Sequence, residues 1–152
     1  MRIRFPMVLL VFLAILIAGA CAPAPESAEP TLPVSSLSVE LDGSSWQLIE
    51  AVAPQETEFP GLDLRLVTLI FQNGEISGSS GCNRYFGTYT QQDSTIKFSD
   101  QIGATKMACP EIQMSLENTY FAFLAAADTL TMEDGHLILS GGGYKFAFET
   151  TN

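Results

Sequence analysis

The segment from residue 39 to 152 predicts a mainly β fold of the α+β class, with many antiparallel strands and one helix inserted late in the chain. Three observations carry this reading. Apolar residues alternate with polar ones through most of the segment, turn dipeptides fall between the alternating runs, and a single stretch after Pro110 changes to helical spacing.

The elements follow in order. After the Asp42-Gly43 turn, Trp46, Leu48 and Glu50 begin a strand, and Leu64 to Phe71 is a branched, apolar run suited to a strand buried on much of its surface. Asn73-Gly74 then separates that run from Glu75-Ile76-Ser77. This is the favoured dipeptide for a two-residue hairpin, because both central positions need positive φ. Phe86 to Thr90 and Thr95 to Phe98 read as a second hairpin joined through Gln91 to Ser94, and Ala104 to Ala108 as a short strand leading to Cys109. From Pro110 to Ala127, apolar side chains recur at Ile112, Leu116, Tyr120, Phe123, Leu124 and Ala127, the spacing of a helix with one buried stripe. Pro110 suits the first turn, where its missing N–H costs nothing, and Glu111 suits the positive end of the dipole. Strands return at Thr129 to Met132 and His136 to Leu139, around Asp134-Gly135. The last spans Tyr144 to Phe148, after Gly141-Gly142-Gly143. A sheet this long curls, and the helix can cover its open side or plug one end.

The chain upstream divides into two pieces. Residues 1–20 carry Arg2 and Arg4, an apolar run from Met7 to Ala20, and Ala18-Gly19-Ala20 directly before Cys21, the layout of a secretory signal. The run is shorter than the about 20 apolar residues that span a bilayer. Small residues before a cysteine resemble a bacterial lipobox, so Cys21 is expected to be lipidated, although Ala18 stands where leucine is commonest and simple cleavage is the alternative. A lipid chain contributes about 0.8 kcal/mol per buried methylene, and stable anchoring takes more than one signal. Residues 21–38 are dense in Pro, Ala, Ser and Glu, the composition of a disordered tether. The expected localisation is therefore export with a lipid-borne membrane anchor in the cell envelope, at the outer membrane if the source has one.

Charge and chemistry narrow the function classes. Net charge is -10 over the whole chain; losing two of the seven basic residues with the signal leaves five against seventeen acidic ones, or -12. Nucleic acid is excluded as a partner on this ground, since its binding relies on Lys and Arg replacing counterions. His136 is the single histidine and follows a tight turn, so neither a histidine metal cluster nor a Ser-His-Asp triad is expected. Ser79-Ser80-Gly81 lacks the nucleophile-elbow pattern, and the glycines form no phosphate loop. No enzyme activity, cofactor or metal is expected. With Cys21 assigned to lipid, Cys82 and Cys109 remain as a pair that an oxidising compartment can bridge, worth about 3–4 kcal/mol across this separation. A redox role is the competing reading, disfavoured by the lack of Cys-x-x-Cys spacing.

Two motifs connect the chain to a family. Gly81-Cys82-Asn83-Arg84-Tyr85-Phe86-Gly87-Thr88-Tyr89, then Thr105-Lys106-Met107-Ala108-Cys109, followed by Glu117, Tyr120 and Leu124 on the helix, resemble the META domain family, which includes the HslJ heat-shock lipoproteins. The resemblance spans about Leu41 to Glu149. It implies a small, partly open antiparallel β-barrel with one helix and no enzyme chemistry. It also implies an envelope-associated role of the kind linked to heat induction, novobiocin resistance and pilotin-like assistance to secretion assemblies.

The motif residues Gly81, Asn83, Tyr85, Gly87, Tyr89, Thr105, Met107 and Glu117 are expected to be structural. Glycines serve bends or close approach, Asn83 satisfies loop backbone groups, and the tyrosines form the sheet wall. Arg84 and Lys106 are expected to meet Glu111 or Glu117, or to point to water. The leading functional expectation is an anchored binding or accessory factor for an envelope protein. The alternative is a carrier of a small apolar ligand in the barrel interior.

Overall fold

The computed structural model describes residues 39–54 and 58–151. Expectations for the signal, Cys21 and the tether lie outside these residues. Nine strands and one helix follow in chain order: β1 Ser45–Val52, β2 Thr68–Gln72, β3 Glu75–Ser79, β4 Arg84–Gln92, β5 Thr95–Phe98, β6 Gly103–Ala104, α1 Glu111–Ala126, β7 Thr129–Glu133, β8 His136–Gly141 and β9 Tyr144–Thr150.

The turn chemistry sets the hairpins. Asn73 and Gly74 both adopt positive φ (53° and 78°) between β2 and β3, and Asp134 and Gly135 do the same (51° and 83°) between β7 and β8. All named pairs are antiparallel, and the strands run β3-β2-β1-β9-β8-β7-β5-β4, with β4 pairing back onto β3 to close a ring. The seam is narrowest between β5 and β7, which share the single register pair Thr95↔Thr129. β6 joins the start of β4, through Tyr85↔Ala104 and Phe86↔Gly103.

The fold class thus follows the sequence, with three local differences. Leu64–Leu66 is a 3-10 turn capped by Asp63, whose side chain accepts from Arg65 N–H, so the strand expected from Leu64 starts at Thr68. The strand expected over Ala104 to Ala108 is confined to Gly103–Ala104: Thr105 N–H still donates to the Arg84 carbonyl, but Arg84 N–H turns to the Thr105 hydroxyl and Met107 N–H to the Asn83 side chain, which ends the ladder. Ile112 lies at the exposed edge of the helix, and Pro110 sits at the N-cap, its carbonyl accepting from the N–H groups of Gln113 and Met114.

The helix lies across one end of the ring. Its start meets the β3–β4 loop, where a Cβ on Gly81 would lie 3.2 Å from Leu116. Its last turn meets the β8–β9 turn, where a Cβ on Gly141 would lie 2.1 Å from the Ala126 carbonyl oxygen. Glycine at 141 is therefore required by the helix end. Leu116, Tyr120, Phe123 and Leu124 fill the interior together with Leu48, Leu69, Phe71, Leu137, Phe146 and Phe148. Phe123 stacks on Phe146 with centroids 4.0 Å apart. Side chains thus occupy the interior where the apolar-carrier reading needs a cavity.

Candidate functional site

The two motifs meet the helix at one buried polar centre. The β3–β4 loop turns tightly, with Ser80 N–H donating to the Asn83 carbonyl at 2.8 Å. Gly81 at φ 95° allows both this turn and the approach of Leu116. Asn83 is consequently held inside, only 3 % exposed.

From there Asn83 reaches both other segments. Its Oδ1 accepts from Thr105 Oγ1 at 2.9 Å and from Met107 N–H at 2.7 Å, which fixes the strand-less run after β6. Its Nδ2 donates to Glu117 Oε1 at 2.9 Å, and its backbone N–H to Glu117 Oε2 at 3.0 Å. Ser80 Oγ also donates to Glu117 Oε2. Three donors thus converge on one carboxylate, which has acceptor positions only, so a buried acid without a cation is satisfied there.

The disulfide completes the arrangement. Cys82 and Cys109 are bonded, with Cα atoms 6.0 Å apart across 27 residues. Covalent bridge and amide hub tie the β3–β4 loop to the segment before the helix, one through each of two adjacent residues. A second polar pair lies deeper: Tyr85 Oη donates to the Thr68 carbonyl at 2.9 Å, so its 2.7 Å contact with Tyr120 Oη takes the proton of Tyr120. Burial pushes both hydroxyls well above the usual tyrosine range.

The remaining motif residues have separate places. Gly87 lies under Ile102, where a Cβ would come within 3.3 Å of Cγ1, and Tyr89 is half-buried, edge-on to Phe71 at 4.8 Å. Burial raises the Tyr89 hydroxyl too, with Asp42 and Glu40 adding to it. Met107 contributes its backbone while its side chain is exposed. Glu117 is met by Ser80 and Asn83 in place of Arg84 or Lys106. The ion pairs among the described residues are Arg65–Glu149 and Lys145–Glu133. Sequence reasoning missed Ser80 and the Tyr85–Tyr120 pair. The available signal was Glu117 beside Leu116 on the buried stripe, an acid that needs internal donors.

Among the described residues, every buried side-chain nitrogen and oxygen has a hydrogen-bond partner. The hub is therefore saturated by the protein itself, which is what a structural lock requires.

The sequence profile of the META domain matches residues 39–152. The chain belongs to the META domain family. Among solved structures, a protein from Burkholderia xenovorans solved by NMR is 25% identical, with a TM-score of 0.61 and coverage of 93% of this chain and 99% of that one. Another NMR structure is 20% identical with a TM-score of 0.53, covering 72% of this chain and 90% of its own. A duf4847 family protein from Bacteroides vulgatus ATCC 8482 is 15% identical with a TM-score of 0.52, covering 72% and 93%. The latter two show that the fold recurs at low identity. No curated protein matches the chain at a significant level.

Proposed function

We propose that this META domain protein is exported, anchored by lipid on Cys21, and acts without catalysis as a binding or accessory factor for another component of the cell envelope. The observation that carries the reading is the Cys82–Cys109 disulfide within a chain that opens like a lipoprotein precursor. Such a bridge belongs to oxidising compartments, and beside it the protein's own donors saturate the Glu117 carboxylate. The acidic surface favours solubility and mild repulsion from anionic lipid, so membrane attachment is assigned to the lipid alone. Exposed Met107 and Ile112 beside the bridge offer apolar contact to a protein partner.

The test is photocrosslinking in intact source cells, with a photoreactive residue at Met107 or Ile112 and fractionation of the product. Capture of a discrete envelope protein supports the reading. Recovery from the cytosol with both thiols free, or turnover on a broad substrate panel, contradicts it.

A further inference from the structure

The outer face of β2, β3, β4 and β6 carries side chains that the hub does not use. Strand register aligns them in cross-strand rows: Ile70↔Ser77↔Phe86↔Gly103 in one, and Gln72↔Glu75↔Thr88 in the next. Alternation buries Ile76 and Tyr85 on the inner face and leaves Phe86 outside, 67 % exposed although it is a large aromatic.

Phe86 is held in a particular attitude. A Cβ built on Gly103 would lie 2.4 Å from Cζ and 2.8 and 2.9 Å from the two Cε atoms. Distances that rise so little from Cζ to both Cε atoms place that point above the ring plane. One face of the ring therefore covers the glycine backbone, an arrangement known for glycines in sheets. The ring is laid down on the sheet, and any side chain at 103 would displace it.

Beside it opens a cleft of about 460 Å³ whose polar rim includes Gln72, Glu75, Ser77, Thr88 and Gln101. The residues lining it include one charged group, Glu75, and no cation. An anionic ligand would meet an unopposed carboxylate there, in a chain of net charge -10. A ligand rich in hydroxyl donors would instead find carboxylate, amide and hydroxyl acceptors.

From this we infer that the face binds a neutral saccharide, one pyranose ring laying its C–H face on Phe86 while its hydroxyls reach Glu75, Gln72 and Gln101. The electron-rich ring face attracts the partly positive C–H edge of a sugar, and flanking polar groups fix orientation, the usual division of labour in a small-ligand cleft. The site makes no use of Met107 or Ile112, neither of which lines this cleft. It stands or falls independently of the accessory-factor reading.

The experiment is a 15N–1H NMR titration of the purified full chain with cellohexaose, maltohexaose and chitohexaose to millimolar concentration. Shifts centred on Ser77, Phe86, Gly87, Thr88 and Gly103 with one of these sugars are expected. Phe86→Ala should weaken binding about tenfold with a small fall in Tm from the lost cover over Gly103 and the native spectrum otherwise kept, and Glu75→Gln should weaken it while leaving the fold intact. Gly103→Ala, which moves the ring without removing it, should also weaken it. Absence of shifts with all three sugars overturns the inference, as does binding that survives Phe86→Ala. Shifts at the same residues that depend on protein concentration without sugar would assign the face to a second copy of the chain and overturn it equally.

Discussion

Replacing Asn83 with alanine removes the one side chain that touches all three segments of the polar centre. Two of its hydrogen bonds are neutral, from Thr105 Oγ1 and Met107 N–H, and each contributes about 0.5–1.5 kcal/mol. Its Nδ2 donates weakly to Cys82 Sγ and strongly to the Glu117 carboxylate, and a bond to a charged group contributes about 1.5–3 kcal/mol. Thr105 is exposed, so water can replace part of the first two, whereas Glu117 is only 7 % exposed. The expected loss is about 3–4 kcal/mol, a large share of the roughly 5–15 kcal/mol that holds a domain together. Urea unfolding with the disulfide intact measures it as a lower midpoint with an unchanged slope. Glu117→Gln is the companion variant: its amide presents a donor toward either Asn83 Nδ2 or the pair formed by Ser80 Oγ and Asn83 N–H, so one contact becomes repulsive. A loss below about 1 kcal/mol for Asn83→Ala, or none for Glu117→Gln, would refute the hub as the lock of this fold.

Other predictions follow from the same geometry. Reducing Cys82–Cys109, or the double change to serine, should cost about 3.5 kcal/mol by loop entropy over 27 residues while leaving the native circular dichroism, because Asn83 still holds the two segments. Gly141→Ala places a Cβ against the Ala126 carbonyl and should destabilise by about 2 kcal/mol or more, read by thermal unfolding; an unchanged Tm would mean that the helix end is free to move. In alkaline titration at 295 nm, Tyr85 and Tyr120 should stay protonated in the folded protein well above pH 10. Because their folded pKa values are raised, the stability they contribute is complete below the unfolded value of about 10 and is lost as pH rises beyond it. In the other direction, the Arg65 guanidinium holds the Glu149 carboxyl below its usual range. NMR titration of Arg65→Ala should move the Glu149 midpoint upward, and no movement would mean that the exposed pair does not form in solution.

The strand pattern was legible because alternation and turn chemistry are local. Asn73-Gly74 and Asp134-Gly135 announce their hairpins without help from the rest of the chain. The helix was legible for the same reason, through Leu116, Tyr120, Phe123 and Leu124. What failed was local pattern overruled by distant partners. Leu64 to Leu66 look like strand by composition, yet the Asp63 side chain caps a 3-10 turn there. Residues 105–108 look like strand until Asn83, more than twenty residues away, takes the Thr105 hydroxyl and the Met107 N–H. Ring closure through β3–β4 and the burial of Ser80 depend on topology, which period-two alternation does not encode. The motif residues were visible as a set, but their convergence on Glu117 was not.

The central claim, an anchored and oxidised envelope domain, is tested most directly by the intact mass of the protein recovered from its native membrane, with and without reduction and alkylation. The account predicts a diacyl or triacyl mass on Cys21 and a Cys82–Cys109 pair that resists alkylation until reduced. An unlipidated chain whose two domain cysteines alkylate at once would contradict it.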